Sequence, residues 1–220
     1  MNKLILGSKF KVLAVFVVIY FLCLAMCHNA FAYSAEDNGP VLDATNNAYI
    51  FIGDSRYVQM EEVCHLSNLD NEYMVAKTGM GYDWLVKEAI PEAQNIINSH
   101  PGKNWTLIIG LGINDLSNID KYLYTYSQLV GAHNVVLASV NPVQNHEFIK
   151  NSEVEAFNAA LKTLGLPFID TYSVLVASGF NTEDCLHFSG WTYVRINELY
   201  QEWIEKNESY SIYRMLVVKK

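Results

Sequence analysis

The chain has 220 residues, a length that suits one ordinary domain plus extras, and 51% of them are apolar, enough for a sizeable core and too many for disorder. Its formal charge of −8, from 23 acidic against 15 basic residues, speaks against nucleic acid and anionic lipid surfaces as partners.

Taken in order, Lys3, Lys9 and Lys11 precede an unbroken apolar run of 16 residues, Val12 to Cys27, followed by Ala30-Phe31-Ala32. A basic start, an apolar stretch and an A-x-A site read as a secretory signal peptide over 1–32, cut after Ala32. The run is short for a membrane span. Leu24-Ala25-Met26-Cys27 loosely matches a lipidation site, with Met26 a poor fit before the cysteine. Cleavage removes three lysines and no acids, leaving 12 basic against 23 acidic residues, a net charge of −11. Cys64 and Cys185 remain; outside the cell such a pair can form a disulfide, and sequence leaves that open. Neither has the spacing of a zinc site, and no metal or cofactor is expected.

Residues 33–47 are polar, with a Gly39-Pro40 break, and read as a linker to a domain over 48–206. From Ala48 onward, short apolar runs alternate with segments of helical period, the mark of a parallel sheet with helices on both faces. Strands are predicted at Ala48–Ile52, Glu72–Ala76, Trp105–Leu111, Asn134–Val140 and Pro167–Ile169. Between them lie helices, one interrupted by Pro91, where a kink or split is expected. Ser152 and Glu155 have capping-box spacing ahead of another. A last helix is expected from about Gly190 to Glu205. In the tail 207–220, Ile212–Val218 reads as an edge strand, or the chain as disordered beyond Val218.

The strand ends carry the polar residues. After the first strand comes Gly53-Asp54-Ser55. A serine there, its own amide at a helix start, can attack an acyl carbon and help hold the resulting oxyanion; equally, Asp54 or Ser55 can simply cap the helix. After the second strand come Gly79 and Gly81, either of which could present a bare N–H or serve a turn. After the third comes Gly112-Ile113-Asn114-Asp115, where the Asn114 amide could donate to an oxyanion or make an Asx-turn. Before the last helix comes Asp184-Cys185-Leu186-His187, a spacing that lets the carboxylate reach one ring nitrogen and leaves the other for a serine. His65, His100, His133 and His146 lie on helix ends or polar loops, where solvated or capping roles are expected.

In this order the four blocks resemble the SGNH/GDSL hydrolase family, from Tyr49 to the last helix. The resemblance implies a flavodoxin-like three-layer α/β/α sandwich with a mainly parallel sheet of about five strands. It implies Ser55 as nucleophile, His187 as general base, Asp184 as its orienting carboxylate, and an oxyanion hole from Ser55, Asn114 and Gly81, with Gly79 as the alternative. Two positions depart from the family pattern. The second block is Thr78-Gly79-Met80-Gly81 where Gly-x-Ser-Gly is usual, and Arg56 replaces a common leucine, at the pocket border against substrate or on the helix surface.

The function expected is a secreted serine esterase acting on an O-acyl group, acetyl foremost, of a small molecule or glycan. The alternatives are a lipase or lysophospholipase, for which Tyr122–Tyr126 could line a chain trough (stacking on sugar rings and plain core packing suit that segment equally), and a surface binding protein on the same scaffold. A metal-dependent hydrolase lacks ligand spacing. No stable membrane partner is expected after cleavage.

Overall fold

Strand β1 (Asn47–Gly53) carries Ala48, Ile50 and Ile52 on one face and Tyr49 and Phe51 on the other, all buried. Period two with both faces apolar is what a central strand covered on both sides requires. The computed structural model describes residues 46–66, 69 and 71–218, with side chains as far as Glu208. The expected leader 1–32 and nearly all of the linker lie outside the described residues.

Helix α1 (Ser55–Cys64) follows β1, then β2 (Glu72–Ala76). Helix α2 has three parts: α-helical Tyr82–Trp84, a π turn over Leu85–Ala89, and α-helical Ile90–Ser99. The interruption expected at Pro91 is this π turn, just upstream. Pro91 has no N–H to give the carbonyl four residues back, and the widened turn, with Ile90 N bonded to Leu85 O, accommodates it. Next come β3 (Asn104–Gly110), α3 (Ile119–Leu129), β4 (Asn134–Ala138), α4 (Asn151–Lys162), β5 (Phe168–Ile169), α5 (Thr171–Ser178) and α6 (Gly190–Val218).

The five strands are all parallel, in the order β2-β1-β3-β4-β5. Ala48, Ile50, Ile52, Leu107, Ile109 and Leu137 face a core built with α2, α3 and α4. Phe51, Ile108 and Val136 face one built with α1, α5 and α6. The expected three-layer α/β/α sandwich is therefore the fold. Strand order reverses between β1 and β3, and in such sheets ligands usually bind at the carboxyl edge beside that point.

Three expectations change. Helix α6 runs without interruption to Val218 through the segment read as an edge strand; nothing from Trp191 to Val218 is Gly or Pro, so the helical ladder has no reason to stop, and the chain beyond Val218 lies outside the described residues. The cap of α4 lies two residues upstream of the expected one: Lys150 N donates to Glu153 Oε2 at 2.9 Å, while Glu155 accepts from the Tyr172 hydroxyl. Finally, the stretch between the last predicted strand and the last predicted helix, where no helix is expected, contains one at Thr171–Ser178, started by Asp170 accepting from Ser173 N and stopped at Gly179, whose φ is +87°. Cys64 is half-buried, Cys185 is exposed, and both are free thiols.

Candidate active site

The turn after β1 is cramped. Gly53 and Gly110 are partners in register at the carboxyl ends of β1 and β3, and the Tyr57 ring lies across both. A Cβ on Gly53 would fall 2.2 Å from that ring, and one on Gly110 would fall 2.0 Å from its hydroxyl. The hydroxyl meets Tyr200 OH of α6 at 2.7 Å. Asp54 is buried and accepts from Arg56 N at 3.0 Å, so it is the N-cap of α1. Burial raises the Asp54 carboxyl above its ordinary value, against the opposing pull of Arg56. Capping and site chemistry are thus divided between neighbours, because Ser55 points elsewhere.

Ser55 Oγ lies 2.8 Å from His187 Nε2, and His187 Nδ1 lies 2.7 Å from Asp184 Oδ2. The other Asp184 oxygen accepts from the backbone amides of Leu186 (3.1 Å) and His187 (2.6 Å), an Asx-type turn that fixes the loop. Cys185, between Asp184 and Leu186, sits at φ +70°, a conformation that non-glycine residues seldom adopt, and its carbonyl accepts from Gln144 N at 3.0 Å. Burial alone would raise the Asp184 carboxyl, but the His187 ring and the two amides outweigh it and hold it down to about 2. A carboxylate bonded to Nδ1 places the ring proton there and leaves Nε2 as the acceptor from serine.

The expected oxyanion donors are brought near one another only in part. Ser55 opens α1, where its amide has no helical partner. Asn114 Nδ2 donates to Met80 O at 2.8 Å, and an amide nitrogen has a second hydrogen to offer. With Met80 O turned towards Asn114, the N–H of Gly81 in the same planar trans peptide points to the opposite side. Gly79 sits at φ +74° with open space around it, so its conformation serves the turn.

What holds these loops is Asp115, which nothing in the sequence marks for a separate role. One of its oxygens accepts from Tyr82 N at 2.8 Å and Asn118 Nδ2 at 3.0 Å; the other accepts from Tyr122 OH at 2.6 Å. Of the segment Tyr122–Tyr126, open in sequence to trough lining, sugar stacking or core packing, Tyr122 and Tyr126 are core: Tyr122 is fully buried with its hydroxyl committed to Asp115, and Tyr126 is buried too, while Tyr124 is exposed. Three of the four histidines expected in solvated or capping roles have them: His65 and His100 end helices, and His146 Nδ1 accepts from Phe148 N and Ile149 N.

Arg56 is neither on the helix surface nor open at the pocket border. It is buried, with Nη1 donating to Asn141 O (2.7 Å), Nη2 to Pro142 O (3.0 Å) and Nε to Leu186 O (3.1 Å). Among the described residues no group of three or more His, Cys, Asp and Glu side chains is gathered as a metal would need.

No family model and no curated protein matches the chain in sequence. Solved structures do match in shape. A member of the lipolytic protein G-D-S-L family from Veillonella parvula superposes with a TM-score of 0.54 at 17% identity, covering 71% of this chain and 97% of that one. The C-terminal catalytic domain of Streptococcus pneumoniae peptidoglycan O-acetyltransferase A, bearing a methylsulfonyl adduct, superposes with a TM-score of 0.51 at 16% identity, covering 71% and 93%. The chain has the fold of the SGNH/GDSL hydrolases.

Proposed function

We propose that this protein is an exported serine esterase that removes an acyl group, acetyl foremost, from an oxygen ester on a glycan. The observation that carries the reading is the continuous chain Asp184–His187–Ser55, with contacts of 2.7 and 2.8 Å. Ser55 Oγ attacks the acyl carbon while its proton passes to His187 Nε2, and Asp184 steadies the imidazolium that forms. The carbonyl oxygen becomes an oxyanion beside the Ser55 amide and the second hydrogen of the Asn114 amide. Gly81 joins them only if the 80–81 peptide turns over, which would release Asn114 from Met80 O. His187 then gives its proton to the leaving alkoxide. Water, deprotonated by His187, attacks the acyl-serine; His187 then returns that proton to Ser55 Oγ as its bond to the acyl carbon breaks and the acid leaves.

Export is proposed from Lys3, Lys9 and Lys11, the apolar run and Ala30-Phe31-Ala32. Glycan-borne acetyl is proposed from export together with the fold shared with a peptidoglycan O-acetyltransferase domain, which makes O-acetylated peptidoglycan the first polymer to try. The test is reaction with a fluorophosphonate probe, followed by p-nitrophenyl esters graded by chain length and by acetylated xylan and peptidoglycan. Labelling at Ser55 with preference for acetyl is expected. A folded protein that neither labels nor hydrolyses any ester is not an esterase.

A further inference from the structure

We infer that Arg56 is a positioning residue, which ties the His187 loop to the helix carrying Ser55 and so sets the distance between serine and imidazole. Its effect on rate rests on the esterase reading; its effect on the loop rests on geometry alone. Arg56 follows Ser55 directly in α1. Its guanidinium reaches the carbonyl of Leu186, immediately before His187, and lies 4.7 Å from the ring centroid of Phe188, immediately after it. Two further bonds, to Asn141 O and Pro142 O, fasten it to the loop leaving β4. That loop holds the catalytic segment from its other side, through Gln144 N to Cys185 O and Thr182 Oγ1 to Gln144 Oε1 at 3.0 Å. Three elements distant in sequence therefore meet on one planar, five-donor group, whose fork fixes directions as well as distances.

A role in filling space would not require this residue. Burying a cation is costly, and an apolar side chain of similar volume would fill the site without that cost. Here none of the three hydrogen-bond partners is a carboxylate; all are backbone carbonyls of the two loops whose placement decides where His187 sits. Burial pulls the guanidinium down to about 10, with Asp54 foremost in opposing it, so it stays charged at neutral pH.

The test compares wild type with Arg56→Met and Arg56→Lys, by kcat and KM on p-nitrophenyl acetate and by amide hydrogen exchange. In both variants kcat should fall by about 10²-fold, the effect of a small misplacement of a catalytic group, with KM within about twofold. Exchange at Leu186 and His187 should quicken by about tenfold, while amides of β3 stay as slow as in wild type. General destabilisation would quicken β3 as well. The exchange readout needs no activity: a wild-type protein without esterase activity would sink the functional reading, and loop exchange would still decide the role of Arg56. Unchanged loop exchange in the folded variants overturns the inference. So does wild-type kcat in an active enzyme. Failure of both variants to fold overturns it too, since Arg56 would then be a requirement of the fold.

Discussion

Gly81 and Asp115 are packed so closely that a Cβ on the glycine would lie 2.5 Å from the aspartate carboxylate. The loop after β2 and the loop after β3 are thereby locked together, and Asn114, next to Asp115, is placed by that lock. Gly81→Ala should therefore cost activity through steric displacement of Asp115, whichever way the Gly81 N–H points. A drop of about 10²-fold in kcat/KM on p-nitrophenyl acetate is expected, the scale set by losing one oxyanion donor. Activity within twofold of wild type would show that the two loops are not coupled.

Asp115→Ala removes the acceptor for Tyr82 N, Asn118 Nδ2 and Tyr122 OH, and strands a buried tyrosine hydroxyl. A loss of about 3 kcal/mol is expected, since an unsatisfied buried polar group costs about 1–3 kcal/mol and more than one is left here. Urea unfolding of the variant measures it, and Asp115→Asn, which keeps one acceptor oxygen, should fall in between.

Ser55→Ala and His187→Ala should each lower kcat on simple esters by about 10⁴-fold or more, and the double variant should be no worse than the worse single, because the two act as a unit. Asp184→Asn should be milder. Its carboxylate is more than half exposed, and water can replace part of its effect on the ring. Circular dichroism checks that each variant folds, and additive losses would refute the unit.

The Asp184 carboxyl is held down to about 2. A depressed folded-state value means that its contribution to stability is present above the unfolded value, about 3.9, and is lost as pH falls through the folded one. The His187 loop should thus keep its Asp184 contacts down to about pH 2. Followed by NMR, the ring signals of His187 should show a step near pH 2 that disappears in Asp184→Asn. A step near pH 4 would contradict the depressed value.

Tyr57→Phe breaks the buried hydroxyl contact with Tyr200 and should cost about 0.5–1.5 kcal/mol, the worth of one hydrogen bond, because Tyr200 OH keeps a contact with Thr171. Gly110→Ala should cost more than Tyr57→Phe, since its Cβ would meet the Tyr57 hydroxyl at 2.0 Å. Thermal unfolding of the two variants side by side gives the order, and Gly110→Ala melting at or above Tyr57→Phe would reverse it.

Much of this molecule is set by short-range pattern. The alternation along Ala48–Ile52 dictates a strand buried on both faces, and the βαβ rhythm dictates a parallel sheet. The placement of Gly53-Asp54-Ser55, Asn114 and Asp184–His187 beside predicted elements gathers polar groups at one sheet edge. These are legible because strand periodicity and turn chemistry depend on neighbours within a few residues. Tertiary structure alone decided the rest. Arg56 carries no local mark that separates a surface arginine from one that binds carbonyls of residues 141, 142 and 186. Asp115 reads as half of an Asn-Asp pair until Tyr82, Asn118 and Tyr122 converge on it. The end of α6 is ambiguous in sequence because a short apolar run is compatible with strand or helix, and the uninterrupted helical ladder settled it. At the carboxyl edge the sequence determined which groups are present; contacts spanning 33 to 132 residues of chain decided where each one points.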